Sequence, residues 1–305
     1  MNSRRKTGIA VLAFLAGQVA APVPSHAQDP ASSELVDEYA RQEEIYQRQK
    51  VGRGYAIDRT LDDYRKLLPD EFHRSLANLG PDGRWLDVGA GQGQAILDYY
   101  TPGYDKAHPA GRKQRGKKAQ SVALSIEDRR TPEWHKAVAA LGAGKVRYLH
   151  GKRLREYSPD ELGRFQIITD VMGGFSYTPD LSRFMQGVMH LLEVGGSFLT
   201  VLQDVELEQG TNKPFYEGYP FATEIEAPRG SRATICSWLH SISCAEVRCE
   251  SKEDWSLPLE AYHVRKVCDN VSVPALVPVH FSAGTPPQRG FRLNDARRPA
   301  AKPGP

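Results

Sequence analysis

Three glycines at alternate positions, Gly89, Gly91 and Gly93, follow Asp87 at the end of the apolar run Trp85–Val88, and a helical pattern starts directly after them. These residue types in this order predict a strand, a tight turn and a helix N-terminus. Without Cβ atoms, such a turn lets a ligand lie against bare backbone, with helix N–H groups aimed at its anionic end. Dinucleotide binding asks for a G-x-G-x-x-G spacing, and the third glycine of that pattern is replaced by Gln94. Asp87-Val88-Gly89-Ala90-Gly91-Gln92-Gly93 is therefore a G-x-G-x-G turn, which argues against a nicotinamide-linked oxidoreductase. No second cluster of chemically capable side chains stands out. His150, His190, His240 and His263 are scattered and read as packing or surface residues, Glu161 belongs to a helix cap, and no metal site is expected.

The elements that must hold this turn alternate regularly. Strands are predicted at Trp85–Val88, Ser121–Ile126, Val146–His150, Gln166–Asp170 and Ser197–Leu202. Between them lie helices from Ala95, from the Thr131-Pro132 cap, from the Ser158-Pro159-Asp160-Glu161 capping box and from Thr178-Pro179. In the last of these helices Leu181, Phe184, Val188, Leu191 and Leu192 share one face. Such alternation means a parallel α/β sheet, which binds ligands at the carboxyl ends of its strands, where strand order reverses. Ala245–Cys249 and Glu260–Val267 are joined too closely for a crossover helix and should pair antiparallel. Upstream, Ser32–Lys50, Thr60–Leu68 (Asp63 closing a capping box with Thr60) and Pro69–Leu79 read as helices with little core of their own, which must pack on the downstream domain.

The 305-residue chain has 25% charged and 40% hydrophobic residues, as a globular protein does, and its net charge of +3 is too small to suggest a nucleic-acid partner. The basic cluster between Lys106 and Lys118 lies among Gly and Pro and reads as a solvated loop. Arg4, Arg5 and Lys6, the apolar stretch Ile9–Ala21 and Ser25-His26-Ala27 together make a secretory signal peptide over residues 1–27, with a mature chain from Gln28. The apolar stretch is short for a bilayer span, so no transmembrane segment is expected in the mature chain. All four cysteines (Cys236, Cys244, Cys249, Cys268) lie in the last quarter. In an oxidising compartment they predict two disulfides; the paired C-x-x-C spacing of a zinc site is missing. Of the three possible connectivities, the hairpin favours Cys244 with Cys268. Residues 28–80 are thus a helical extension, 81–280 the main domain, and 281–305, rich in Pro, Gly and Arg, a disordered tail.

The G-x-G-x-G turn after Asp87 resembles motif I of class I S-adenosylmethionine-dependent methyltransferases. The resemblance spans about Pro81–Val267 and includes the acidic end of the second strand, Asp170 closing the fourth, the Leu191-Leu192-Glu193-Val194-Gly195-Gly196 turn into the fifth and the closing hairpin. It implies a Rossmann-like, seven-stranded, mostly parallel sheet with a C-terminal antiparallel hairpin, and S-adenosylmethionine as cofactor. By resemblance Gly89, Ala90, Gly91 and Gly93 approach the methionine part, Asp87 lies near its amino group, and an acid ending the second strand takes the ribose hydroxyls. Glu127 is assigned to that role, with Ser125 and Asp128 as neighbours in contention. Asp170 to Gly174 would line the mouth of the site, or Asp170 would cap the following loop. Phe175 and Tyr177 would line an acceptor pocket or anchor a helix. The family's acid after the third strand is replaced by Gly151-Lys152-Arg153, and its Asn-Pro-Pro-Tyr loop by Asp170–Tyr177. The residues leave two readings open: an exported methyltransferase acting on a small molecule or envelope component, or a non-catalytic descendant serving as a binding module.

Overall fold

The structure is a computed structural model and describes residues 58–101, 119–142, 144–203, 222–228, 230–252, 259–282 and 288–294. The expected signal peptide, the helix over 32–50 and the basic loop fall outside the described residues. From its start the described chain runs through α1 (Leu61–Leu67), α2 (Asp70–Asn78), β1 (Arg84–Val88), α3 (Gln94–Tyr99), β2 (Gln120–Leu124), α4 (Pro132–Leu141) and β3 (Val146–Leu149). A 3-10 turn at Leu154–Glu156 precedes α5 (Pro159–Leu162), β4 (Phe165–Val171), α6 (Gly174–Tyr177), α7 (Leu181–Leu191) and β5 (Leu192–Gln203). The remainder is β6 (Ala222–Glu226), β7 (Arg232–Ala233), α8 (Ile235–His240), β8 (Ala245–Lys252), β9 (Leu259–Lys266), β10 (Leu276–Ser282) and β11 (Gln288–Leu293).

The main sheet has seven strands in the order β3-β2-β1-β4-β5-β9-β8. The first five are parallel, while β9 runs antiparallel to both β5 and β8. This is the expected Rossmann-like sheet with its closing hairpin. Strand order departs in opposite directions from β1 and β4, which places the crevice between their carboxyl ends.

Side-chain alternation sorts the core onto two faces. Leu86, Ile168, Phe198 and Val264 point to one face, packed under α7 and α8 through Phe184, Met185, Val188 and Trp238. Trp85, Ile167, Leu199 and Ala261 point to the other, beneath α1, α2 and α3 through Tyr64, Phe72, Leu76 and Ile96. The amino-terminal helices therefore complete a core rather than stand apart from it. Thr60 caps α1 with Asp63, Thr131 caps α4 with Pro132 at its first turn, and Ser158 caps α5 with Glu161, each as its residue spacing predicts.

Three expectations are corrected. Asp180, not Thr178, caps α7, and the stretch read as a loop after Gly173-Gly174 closes into α6, because the Asp170 carboxylate collects the free N–H groups of that turn. The tail expected to be disordered from 281 instead contributes β11, which pairs with β10 and with β6 in a second sheet of order β10-β11-β6-β7. Phe291 and Arg289 are buried there, so the basic, proline-rich composition concealed one strand with a packed face.

The cysteines form two disulfides, Cys236–Cys249 joining α8 to β8, and Cys244–Cys268 bridging the end of the hairpin as expected. All four cysteines are thus disulfide-bonded. No helix among the described residues is long and apolar enough to cross a membrane.

Candidate functional site at the carboxyl ends of β1 and β4

Asp87 shares the parity of Trp85 on β1, so its carboxyl points at the α1–α2 face rather than out of the sheet end. It is fully buried. Tyr64 Oη donates to its two oxygens at 3.0 Å and 3.0 Å, and Thr169 Oγ1 donates at 2.7 Å while accepting from Trp85 Nε1 at 2.8 Å. Burial pushes the Asp87 carboxyl up to about 7, against the downward pull of the Thr169 and Tyr64 hydrogen bonds. Burial, followed by the neighbouring Asp87 charge, raises the Tyr64 phenol well above its ordinary range. Asp87 thus locks α1 to β1 and β4 underneath the turn; its side chain has no open face toward a ligand.

All three turn glycines have positive φ, +75° at Gly89, +56° at Gly91 and +81° at Gly93. Each is also pressed by a different neighbour. A Cβ on Gly89 would lie 2.7 Å from Gly173 Cα, and one on Gly93 would lie 2.2 Å from the Trp134 ring. At Gly91 it would meet, among the described residues, only the Asp58 carboxylate, 2.6 Å away. The first and third glycines are therefore needed for backbone–backbone and helix–turn packing. Gly91 faces a group that a ligand could displace or share. Asp58 Oδ1 accepts the Gln92 N–H at 2.7 Å. Ala90 is buried, its N–H held with that of Gly89 on the Leu124 carbonyl.

The rim beside this turn comes from β2 and β3. Tyr148 Oη donates to the Gly91 carbonyl at 2.6 Å and to the Glu127 carbonyl at 3.2 Å, and accepts the Arg129 N–H at 3.3 Å. Its ring stands edge-on to Trp134. Glu127 lies beyond the strand end, its side chain 18% exposed and 3.9 Å from Arg129 Nη1. Asp128 is instead chelated by Arg130 through two hydrogen bonds, which hold its carboxyl well below the usual range.

Asp170, next to last in β4, is fully buried and accepts the N–H groups of Gly173 at 2.8 Å and Phe175 at 2.9 Å. Burial raises it to about 7, opposed by those backbone donors and by the Arg289 charge. It caps the turn. Phe175 is buried against Phe184, Phe198 and Tyr262, so it anchors α6 rather than lining a pocket. Met172, between Asp170 and Gly173, adopts φ +51°, a conformation rare for a side chain of its size.

The sequence-selected residues converge: Asp87, the glycine turn and Asp170 meet at one crevice, with Glu127 on the neighbouring rim. Asp58, Arg59, Tyr64, Trp134 and Tyr148 complete the surroundings and were not singled out from the sequence. Only the Thr60 capping box hinted at the first three, since it fixes where α1 begins.

No family model matches the sequence, and no curated relative does. Solved structures do resemble the fold. A Burkholderia thailandensis 1,6-didemethyltoxoflavin-N1-methyltransferase with bound S-adenosylhomocysteine is 16% identical, over 84% of this chain and 99% of its own, with a TM-score of 0.43. The N-methyltransferase NodS from Bradyrhizobium japonicum is 10% identical over 68% and 97%, TM-score 0.40, and an rRNA methylase from Streptococcus thermophilus 11% identical over 65% and 95%, TM-score 0.37. The placement of the glycine turn at the switch of strand order rests on the sheet itself, in the order β3-β2-β1-β4-β5-β9-β8.

Proposed function

We propose that the chain is an exported S-adenosylmethionine-dependent methyltransferase acting on a small molecule or a cell-envelope acceptor. One observation carries this reading. The Asp87–Gly93 turn is intact and lies where a ligand binds in a sheet of this order, at the carboxyl end of β1 beside β4. The residues fit the cofactor at Gly91, the turn glycine whose flank faces the Asp58 carboxylate rather than backbone or a ring, and at Glu127, which takes the ribose hydroxyls. Asp87 and Asp170 serve by holding the turns of β1 and β4 in shape. When bound, the cofactor supplies a methyl group on a sulfonium, itself a good leaving group. What the chain must then add is placement of the acceptor in line, which can supply a large part of the acceleration without a catalytic side chain. The signal peptide over 1–27 and the two disulfides support export.

A second reading, a non-catalytic binding module, is favoured by a specific observation. Gly89 and Gly93 have packing partners inside the protein, so intact glycines do not by themselves require a ligand. Calorimetric titration of the chain from Gln28 with S-adenosylmethionine and S-adenosylhomocysteine separates the two. Micromolar binding of both is expected for the enzyme. No heat at millimolar ligand would overturn it and leave the module.

A further inference from the structure

Asp58 and Arg59 are adjacent, oppositely charged, and placed over the two turns that form the crevice. Asp58 reaches the β1 turn, with its Oδ1 on the Gln92 N–H at 2.7 Å and against the bare flank of Gly91. Arg59 reaches the β4 turn, where Nη2 donates to Met172 Sδ at 3.1 Å. A thioether sulfur is a weak acceptor, and Arg59 Nε is buried with no hydrogen-bond partner among the described residues. A guanidinium left so poorly satisfied favours an incoming carboxylate, which its planar fork can bind through two parallel hydrogen bonds.

The pair is held rigidly. Thr60, the next residue, is the cap of α1 and closes a capping box with Asp63. The Leu61 N–H donates to Asp98 of α3 at 3.0 Å, and Tyr64 is tied to Asp87. Asp58 and Arg59 therefore sit on a fixed platform rather than at a free end. Their charges have opposite consequences for a ligand. A carboxylate on the glycine turn repels the phosphate that turns of this kind otherwise cradle. The same carboxylate accepts an ammonium group, and Arg59 next to it accepts a carboxylate.

We propose that Asp58 and Arg59 form a clamp for a zwitterionic α-amino-acid head group, Asp58 taking the ammonium and Arg59 the carboxylate, and that the pair excludes phosphorylated nucleotides from the crevice. The clamp rests on the methyl-donor reading of the glycine turn and specifies which part of that ligand these residues select.

The test compares S-adenosylhomocysteine with 5′-methylthioadenosine, which keeps the adenosine thioether and lacks the amino-acid head. Each is titrated calorimetrically into the chain from Gln28, into Arg59→Gln and into Asp58→Asn, with a thermal melt of each variant as a check on folding. The wild type should bind S-adenosylhomocysteine at least ~10-fold more tightly than methylthioadenosine, as two charge-assisted contacts require. Arg59→Gln should erase most of that preference and leave methylthioadenosine binding unchanged. Asp58→Asn should weaken S-adenosylhomocysteine and let ADP bind. Equal affinity of the wild type for both nucleosides would overturn the clamp while leaving the adenosine site in place, and that comparison holds even if a variant fails to fold. Tighter binding of S-adenosylhomocysteine by Asp58→Asn would also overturn it, because Asp58 would then compete with the ligand. No binding of either nucleoside would overturn the clamp together with the methyl-donor reading.

Discussion

Asp87 is a carboxyl group whose protonation is a matter of stability as much as of function. Its folded-state value of about 7 lies above the ordinary 3.8 of an exposed aspartate, with burial as the main cause. The folded chain therefore holds a proton on Asp87 that the unfolded chain releases. That contribution is complete below about pH 4 and is lost as pH rises toward 7. Asp170, raised to about 7 by burial, adds a fall of the same sign. Urea denaturation between pH 4.5 and 8 should show stability declining across this window. Asp87→Asn should flatten part of the decline and match or exceed the wild type at pH 8, since its amide oxygen can accept from Thr169 while its N–H faces Tyr64. A profile for Asp87→Asn parallel to the wild type would mean that Asp87 is ionised throughout.

At the scale of elements, one buried side chain ties the second sheet directly to the turn of the site. Arg289 of β11 is 1% exposed and donates to Thr223 of β6, to the Thr178 carbonyl and to the Phe175 carbonyl. These carbonyls close α6, the turn whose opposite end is capped by Asp170. A buried guanidinium on carbonyls of a helix end is a strong fastening, because its removal leaves them unpaired. Arg289→Met should cost about 2–4 kcal/mol in urea unfolding, in line with other buried charged groups that lose or leave partners. A loss under 0.5 kcal/mol would mean that the second sheet is fastened elsewhere. The sequence concealed this element because strand propensity is spread thinly over Gln288–Leu293. Its value comes from one buried arginine and one buried phenylalanine, which no periodicity marks. It concealed α6 for a related reason: two consecutive glycines read as a loop until the Asp170 carboxylate supplies the N–H acceptors that let the turn close.

For the whole molecule, the disulfides lie at the end of the sheet farthest from β3, where the β8–β9 hairpin forms an edge. They close segments separated by 13 and 24 residues. Loop-closure entropy assigns each bridge about 3 kcal/mol of stabilisation against the reduced unfolded chain. Reduction with a dithiol should lower the melting temperature, and Cys236→Ser with Cys249→Ser, or Cys244→Ser with Cys268→Ser, should each reproduce part of the drop. An unchanged melting temperature in both double variants would show that the hairpin is secured by packing alone. The glycine turn is remote from both bridges in the strand order, so the proposed methyl-donor binding should survive reduction wherever the fold does.

The sequence by itself determined the alternation of strands and helices, the caps at Thr60, Thr131 and Ser158, and the place of the glycine turn. These are local properties, set by side-chain period and by backbone donors near in sequence. The tertiary structure decided what the side chains at that turn face. Asp87 looks inward to Tyr64 because strand parity meets a helix from elsewhere in the chain. Gly89 and Gly93 are required by Gly173 and Trp134, and Asp170 is consumed by its own turn. Gly91 is left to the Asp58 carboxylate, and the β4 turn to Arg59, which reach them only because α1 packs across the sheet. Such contacts join residues far apart in sequence and depend on crossing elements, which is why spacing along the chain does not reveal them.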